Sequence, residues 1–426
     1  MMQLTHGRRG RVAMAVGLAL TVCLGFLPAI GGPPRVAAQE TGSNIADQFV
    51  GIEIPPDMGQ APFQVYVPQT RHTIRGQMLD YWRANGSASV YGNPISEPFA
   101  SANGYYSQAF EGGIFQYLPD YLYSEDPDVR LMPIGDTVLS SRAGEFRRDG
   151  RRAGGGGDTR TFAWRAVDPN GNAAAKALQS GGVYAENTAH TITGAFLSWY
   201  DAHEGHFYLG DPLSQQVTER GVTVQYFEGG MLLRTADGQM RVGKLVAQHA
   251  DLLGVETAPV ERNDLPDYDE SLFIVSANPN PLGDLRSPGK RRIEVSIGQQ
   301  TLWAYQGDTL VAQTLVSTGI EPNHTERGTF HVRYKLEKET MSGFTNSTGE
   351  VVGMGDGSGE QSGIPYEVTD VPNVMYINHD AEALHGAYWH NNFGTPMSHG
   401  CINLPLDFAS FLFGWAPLGT EVRVHD

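Results

Sequence analysis

The chain has 426 residues, a formal net charge of −17 and two cysteines. An acidic chain lacks the basic surface that binds a phosphate backbone, so the composition argues against nucleic acid as a partner. So few cysteines exclude a disulfide-rich scaffold, and the length suits two or three domains.

Residues 1–38 have the three parts of a secretory signal peptide. Arg8, Arg9 and Arg11 form a positive n-region, a long apolar stretch follows, and small residues precede a cleavage site after Ala38. The apolar stretch approaches the roughly 20 residues that a spanning helix needs. We therefore expect an exported protein, released by cleavage or anchored through an uncleaved segment.

Two stretches before residue 255 resemble each other. YWRANGSASVYGNPISEPF begins at Tyr81 and WYDAHEGHFYLGDPLSQQV begins at Trp199, and each precedes a Phe-Glu-Gly-Gly block at nearly the same spacing. This predicts two copies of a small α+β module, at 71–142 and 186–255. Each copy should hold a short helix, a Gly-x-Pro turn and a hairpin with a Gly-Gly turn.

The paired aromatic residues of these modules allow two interpretations. They can stack on sugars, or they can form the core of a small domain. Three segments that flank the modules are predicted to be linkers; the second is rich in Gly and Arg, and the third is rich in Pro, Asn and Asp. These segments are 39–70, 143–185 and 256–290.

From residue 291 onwards the chain has the alternating pattern of β-strands. RIEVSI, GTFHVRYKL, NVMYIN and TEVRVHD read as strands, and QQTLWAYQGDTLVAQTLVSTG reads as a hairpin with Gly307 and Asp308 at its turn. One helix is predicted, at 406–416. We therefore expect a mainly β protein in which 291–426 form a β-sandwich or barrel-like domain with one short helix.

The tract ALHGAYWHNNFGTPMSHGCIN, Ala383 to Asn403, concentrates histidine around Cys401. A thiol is mostly protonated at neutral pH, so nucleophilic catalysis needs a nearby base or cation. His385 is too distant along the chain for local contact but suits a neighbouring strand, and we expect it to hold the thiol ionised. Gly400 permits a tight turn whose N–H groups can face an oxyanion.

The stretch HGAYWHNNFGTPMSHGCIN resembles the signature of the L,D-transpeptidase catalytic domain, the YkuD family. That signature has a His-Gly pair followed by Ser/Thr-His-Gly-Cys, a hydrophobic residue, and Asn or Arg. The similarity covers roughly residues 291–425 and includes the strand pattern. The chain departs from the family at Thr325-Glu326-Arg327-Gly328, where Thr-Pro-x-Gly is common.

The resemblance implies a role for each residue of the motif. Cys401 would be the nucleophile, His385 the base, and the carbonyl of Gly386 would orient the imidazole. The amides of Gly400 and Cys401 would form the oxyanion hole. The remaining site residues would be Ser398 and His399 at the turn, and Asn403, Tyr376, Tyr388, Trp389 and His390 in the substrate cleft. An aromatic residue such as Trp389 could equally be a core side chain.

The family acts on peptidoglycan stem tetrapeptides, and the resemblance extends this expectation to the chain. The thiolate would attack the carbonyl of the third residue, release D-Ala, and pass the acyl group to an amine to form a 3→3 crosslink. The protein would be a wall-associated monomer without cofactor or metal. The glycine-rich stretch 354–367 would be a flap over the cleft, and the repeats could bind wall glycan.

Four alternatives compete with this interpretation. Water as acceptor would make the protein an L,D-carboxypeptidase, and the sequence leaves this open. A zinc site has suitable residue types, but these histidines lack the helical i, i+4 spacing of known zinc enzymes. A papain-type protease would have its cysteine before its histidine, the reverse of the order here. A non-catalytic wall-binding protein would have no need of the cysteine and histidines together.

Overall fold

Short alternating apolar segments fold into small sheets throughout the part of the chain that the structure describes. The computed structural model describes residues 61–118, 129–142, 166–274, 282–355, 357 and 359–426. The predicted signal peptide and the four consecutive glycines of the Gly/Arg-rich segment lie outside these ranges. Within them, no helix has the length and apolar character needed to cross a membrane.

A strand hairpin, a helix and a four-stranded antiparallel sheet make up the region of the first predicted repeat, which we call the first repeat region. Helix α1 buries its apolar face, including Tyr81 and Trp82, against the sheet. The elements are β1 (Gln64–Val67), β2 (His72–Arg75), α1 (Gly76–Ala84), a 3₁₀ turn (Ser87–Ser89), β3 (Phe99–Ala100), β4 (Tyr106–Ala109), β5 (Ile114–Tyr117) and β6 (Val129–Leu131).

The second repeat region has the same order of hairpin, helix and four-stranded sheet. Its strands β9 to β12 are neighbours in chain order, as are β3 to β6. The elements are α2 (Asn172–Gln179), β7 (Val183–Ala185), β8 (His190–Ile192), α3 (Gly194–Ala202), α4 (Gly205–Tyr208), β9 (Val217–Glu219), β10 (Val222–Tyr226), β11 (Met231–Arg234), β12 (Met240–Val242), α5 (Leu245–Gln248) and α6 (Ala250–Leu253).

Matching side chains make matching contacts in the two regions. The side-chain amides of Gln108 and Gln225 each donate to two buried main-chain carbonyls, at 2.7 and 2.9 Å in the first region and at 2.8 and 2.9 Å in the second. Trp82 and Tyr200 each donate to the carbonyl of the glycine in their Gly-x-Pro turn, at 2.9 and 3.1 Å. These bonds tie each helix and sheet to its own turn.

The paired aromatic residues are mostly core side chains. Tyr81, Trp82 and Tyr200 are 4%, 1% and 8% exposed. Trp199 is half-buried and stacks on His203 with ring centroids 3.9 Å apart. A buried ring offers no face to a sugar, so three of these four side chains cannot serve the sugar-stacking interpretation.

The described parts of the predicted linkers contain ordered structure, which corrects their assignment. Strand β1 lies inside 39–70 and pairs with β2. Helix α2 and strand β7 lie inside 143–185, and β7 pairs with β8. In 256–290, a 3₁₀ turn (Glu270–Leu272) follows Tyr268, whose ring packs 4.8 Å from that of Trp82. Aromatic residues within a polar composition anchor this last segment.

Residues 291–426 form two five-stranded sheets that share one core with a helix. The sheet orders are β15-β14-β13-β22-β16 and β18-β17-β19-β20-β21. The elements are β13 (Arg291–Ser296), β14 (Thr301–Gln306), β15 (Thr309–Leu315), β16 (Gly328–His331), β17 (Tyr334–Thr345), β18 (Val351–Met354), β19 (Ile364–Tyr376), β20 (Ala383–Gly386), β21 (Ile402–Leu404), α7 (Leu406–Trp415) and β22 (Glu421–His425).

This arrangement confirms the predicted fold class. The hairpin of β14 and β15 turns at Gly307 and Asp308, as expected, and α7 is the one helix described in this range. The predicted flap differs in part: Met354 ends β18, and Ile364 begins a long β19 that pairs with β17. The described residues between these strands, 355, 357 and 359–363, lie in neither a helix nor a strand.

Buried charges connect the second repeat region to the C-terminal domain. We name four of them the Lys290 cluster: the ammonium of Lys290 contacts the carboxylates of Glu204 and Glu421, and His331 Nε2 lies 2.7 Å from Glu204. These four residues are 5% exposed or less. Each of these buried ions needs an opposite charge next to it, because burying an unpaired ion costs free energy.

Glu270 forms a second buried ionic contact, with two arginines. Its carboxylate lies 2.5 Å from Arg83 of α1 and 2.7 Å from Arg291 of β13. Arg291 also donates to the carbonyl of Trp415 at the end of α7, at 2.9 Å. The segment 256–290 therefore supplies the charge that joins the first repeat region to the C-terminal domain.

Candidate active site

The parallel strands β20 and β21 carry the motif residues. Their register pairs Leu384 with Ile402 and His385 with Asn403. Leu384 and Ile402 are buried in the core between the sheets. Side chains alternate along a strand, so His385 and Asn403 lie on the opposite face, together with Cys401 just before β21. The neighbouring-strand arrangement expected for His385 is thus present.

The imidazole of His385 is held in one orientation. His385 is 2% exposed, and its Nδ1 lies 3.2 Å from the carbonyl oxygen of Gly386. A carbonyl can only accept, so Nδ1 carries the proton of the neutral ring and Nε2 retains a free lone pair. Burial lowers the pKa of His385 to about 4, against the opposing effect of the Gly386 carbonyl.

The thiol of Cys401 is half-buried at the edge of a small apolar cluster. Its Sγ lies 3.8 Å from the carbonyl oxygen of Ala381, to which the S–H donates. Burial raises the pKa of the thiol to about 12; a main-chain hydrogen bond from Ala383 opposes this, and the charges of Glu382 and Glu339 add to it.

These two environments correct the expectation of an ionised thiol. Burial disfavours both the thiolate of Cys401 and the imidazolium of His385, because each would be a charge removed from water. The resting thiol and imidazole are therefore both neutral, and they lie on the same face of the sheet. The proton has to move from sulfur to nitrogen as the sulfur attacks, so His385 is suited to act as a general base.

The turn before the cysteine is fixed by hydrogen bonds. Ser398 is 7% exposed; its Oγ donates to the carbonyl of Cys401 at 2.5 Å and accepts from the N–H of Gly400 at 3.2 Å. Gly400 has φ of +123°, which glycine adopts without strain. The Gly400 amide is thus engaged within the turn and is not free for an oxyanion, which corrects its predicted role.

Residues 290–424 match the family model of the L,D-transpeptidase catalytic domain, YkuD. The C-terminal domain is a YkuD domain. The matched residues include both sheets, the β20–β21 pair and the Ser-His-Gly-Cys turn. A comparison with curated proteins gave no match.

Three solved structures illustrate the similarity of the YkuD domain. The catalytic domain of an E. faecium L,D-transpeptidase is 29% identical, with a TM-score of 0.26 and coverage of 32% of this chain and 96% of that one. An L,D-transpeptidase from Mycobacterium smegmatis is 21% identical, with a TM-score of 0.26 and coverage of 32% and 60%. L,D-transpeptidase 3 from Mycobacterium tuberculosis is 20% identical, with a TM-score of 0.27 and coverage of 32% and 61%. The chain thus spans about three fifths of each mycobacterial protein.

His399 lies on the outer side of the turn in the YkuD domain. Its exposed ring stacks on Tyr366 of β19, with centroids 5.5 Å apart and planes 9° apart. Burial raises the pKa of Tyr366, and the nearby Cys401 adds to this shift. Sequence reasoning missed Tyr366, because it lies in the stretch that was assigned to a flap.

Asn403 and His390 are brought together at the YkuD site. Asn403 is 1% exposed, and its side-chain amide contacts Nε2 of His390 at 2.9 Å. The Oδ1 of Asn403 is buried, and no hydrogen-bond partner for it is present in the described part of the chain. The main-chain N–H of Asn392 donates to Nδ1 of His390 at 3.2 Å, which fixes the ring. Asn403 thus supports the floor of the candidate site beside His385.

The remaining predicted cleft residues divide into two groups. Tyr388 and Trp389 are 50% and 41% exposed, and the Trp389 ring lies 5.7 Å from that of His385, so they form an open wall. Trp389 is therefore not a core residue. Tyr376 is half-buried and donates from its hydroxyl to Glu339 at 2.6 Å, so it braces the base of the site.

Two further residues surround the turn and were not identified from the sequence. Thr325 Oγ1 donates to the carbonyl of Gly400 at 2.6 Å. The carboxylate of Glu382 accepts from the N–H of Glu326 at 2.9 Å. Burial raises the pKa of Glu382 to about 7. A glutamate three positions before the motif histidine was the available signal, but alone it predicts no contact.

The histidines of the YkuD domain do not assemble into a metal centre. Across the ranges that the structure describes, no group of three or more His, Cys, Asp or Glu side chains could hold a metal ion. His390 contacts Asn403, and His399 stacks on Tyr366. The zinc interpretation therefore lacks a ligand set within those ranges.

Proposed function

We propose that the protein is an exported L,D-transpeptidase that crosslinks peptidoglycan stem peptides through a thioester on Cys401. One observation carries the proposal: His385, with its Nδ1 proton directed at the carbonyl of Gly386, presents a free Nε2 on the sheet face that holds the thiol. The YkuD match supports the substrate class.

The reaction would proceed in two balanced steps. Sγ of Cys401 attacks the carbonyl of the third stem residue while Nε2 of His385 takes the thiol proton. The tetrahedral intermediate expels D-Ala, whose amine receives that proton from the imidazolium, and a thioester remains. The amine of a second stem then attacks the thioester, its proton passes to Nε2, and the thiol is regenerated.

The other residues of the site have supporting roles in this proposal. The main-chain N–H of Cys401 faces the forming oxyanion, since that of Gly400 is engaged by Ser398. The exposed rings of Tyr388 and Trp389 line the donor stem, and the buried Asn403 braces the site beside His385. The predicted signal peptide carries the chain to the wall, where the stems are found. The repeat regions bind wall glycan through surfaces other than their buried aromatic residues.

Incubation of the full chain with a defined tetrapeptide, followed by mass spectrometry, tests the proposal. A dimer that has lost a single D-Ala, from the donor stem, supports transpeptidation, whereas release of D-Ala with only a tripeptide as product supports the carboxypeptidase alternative. No change, together with no acylation by ertapenem, supports a non-catalytic wall protein. Ertapenem is suitable because the E. faecium catalytic domain has been solved acylated by it.

A further inference from the structure

Glu382 is a buried carboxylate packed against the catalytic turn. It is 7% exposed, and a Cβ added to Gly400 would lie 3.4 Å from its Oε1. Its two oxygens accept the N–H of Glu326 at 2.9 and 3.2 Å, and Oε2 also accepts from Asn378 Nδ2 at 2.9 Å. A buried carboxylate with this many donors has one fixed position.

On one side, Glu382 closes the turn that faces the sulfur. Its N–H donates to Oδ1 of Asn378 at 3.0 Å, so the two residues bond reciprocally across the turn. Ala381 within this turn has φ of +61°, an unfavourable value for a residue with a Cβ. Its carbonyl is the group that accepts the S–H of Cys401 at 3.8 Å.

On the other side, Glu382 holds the loop that contacts the carbonyl of Gly400. Thr325, the neighbour of Glu326, is 1% exposed and donates from Oγ1 to that carbonyl at 2.6 Å. The same Oγ1 accepts the N–H of Gly319 at 2.9 Å. The Thr325 hydroxyl thus holds the carbonyl of the Gly400–Cys401 peptide bond. The Ala381 carbonyl contacts the thiol from the other side.

We propose that Glu382 is a positioning residue for the nucleophile, which it holds through the Ala381 carbonyl on one side and the Thr325 hydroxyl on the other. The inference rests on the proposed role of Cys401. It also accounts for the departure of the loop from Thr-Pro-x-Gly: proline at position 326 would lack the N–H that the carboxylate of Glu382 accepts.

The same carboxylate opposes ionisation of the thiol. Burial raises the pKa of Glu382 to about 7, hydrogen bonds from Glu326 and Asn378 oppose this, and the charges of Glu326 and Asp380 add to it. The charges that raise the pKa of Cys401, after burial, are those of Glu382 and Glu339. Above pH 7 Glu382 is charged, so its charge makes the thiol harder to ionise throughout the range in which the thiol titrates.

Alkylation of the full chain by iodoacetamide across a pH series tests this arrangement. The Cys401 peptide is quantified by mass spectrometry in the wild type, in Glu382→Gln, and in the control Asp380→Asn, which removes an exposed charge nearby. Glutamine keeps an acceptor for the N–H of Glu326 and removes the charge. We expect the Glu382→Gln profile to move to lower pH, while the control stays close to the wild type.

Coincident profiles for Glu382→Gln and the wild type would overturn the inference and leave the proposed function intact. A thiol that is alkylated only after unfolding, in every variant, would overturn the proposed nucleophile as well. The two failures are therefore distinguishable.

A second pair of variants tests the hydrogen bond from Thr325 to the Gly400 carbonyl without altering Glu382. Thr325→Val removes the hydroxyl, and Thr325→Ser keeps it. We expect acylation by ertapenem to slow on the order of ten-fold in the valine variant, the effect of one lost hydrogen bond, and to recover in the serine variant. Equal rates for valine and serine would overturn the inference, provided that thermal unfolding shows both variants to be folded.

Discussion

His385 and Asn403 face each other across the parallel strands β20 and β21. This register brings the imidazole to the sheet face that carries the thiol, although the two motif ends are distant in sequence. A shift by one residue would turn the histidine into the core, because side chains alternate along a strand. The geometry of the site thus depends on strand pairing more than on the local turn.

Substitution Cys401→Ala should abolish thioester formation and leave the fold intact. The side chain is half-buried and small, so its loss creates little cavity. Mass spectrometry after incubation with tetrapeptide measures the first effect, and thermal unfolding measures the second. The control is Cys23→Ala, a change in the predicted signal peptide, which should retain activity. An acyl-enzyme in Cys401→Ala would contradict the assignment.

The acylation rate should fall on acidification only at a pH well below the usual pKa of histidine. The folded-state pKa of His385 is lowered to about 4, so the neutral base persists as pH falls through 6 and 5 and is lost only near 4. Ertapenem acylation of the full chain, followed by mass spectrometry from pH 4 to 8, measures this fall in rate. A half-maximal rate near 6.5 would refute the buried neutral imidazole.

Removing the charge of Lys290 should destabilise the protein by about 3–5 kcal/mol. The variant Lys290→Met leaves Glu204 and Glu421 buried without their shared cation. Denaturant unfolding measures the loss. The control Arg262→Met removes an exposed ion pair with Asp267 and should cost below about 0.5 kcal/mol. Equal stability of the two variants would contradict the structural importance of the cluster.

Gln108→Ala and Gln225→Ala should lower the free energy of unfolding by similar amounts. Each leaves two buried carbonyls without a donor, at a cost of about 1–3 kcal/mol per group. Thermal and denaturant unfolding measure both. The exposed Gln239 provides the control, since Gln239→Ala leaves no buried group unpaired. Unequal losses would show that the two regions depend on these contacts differently.

The elements that could be predicted from the sequence are strands and helices with one buried face. The β14–β15 hairpin has a buried and an exposed face and a two-residue turn, so its pattern is clear. Strand β17 was only partly recognised. Most of its residues are exposed or half-buried, so polar side chains occupy both faces and the alternation is weak.

The motif predicts Cys401 and His385 as site residues, but it could not predict the groups that contact them. Thr325 and Glu382 reach the turn from distant segments, through contacts that exist only after folding. Sequence spacing carries no information about such contacts. The resting charge states of the thiol and the imidazole also depend on burial, which the residue types alone do not reveal.

The pairing of Lys290 with Glu204, and of Arg291 with Glu270, limits how this catalytic domain can be recombined during evolution. A fusion that transplants residues 290–426 onto an unrelated N-terminal partner would leave Arg291 without Glu270 and Lys290 with Glu421 as its remaining acid. Viable chimaeras must carry the matching acids along or neutralise both positions together. Lineages that exchange the repeat region should therefore change these four positions as a set.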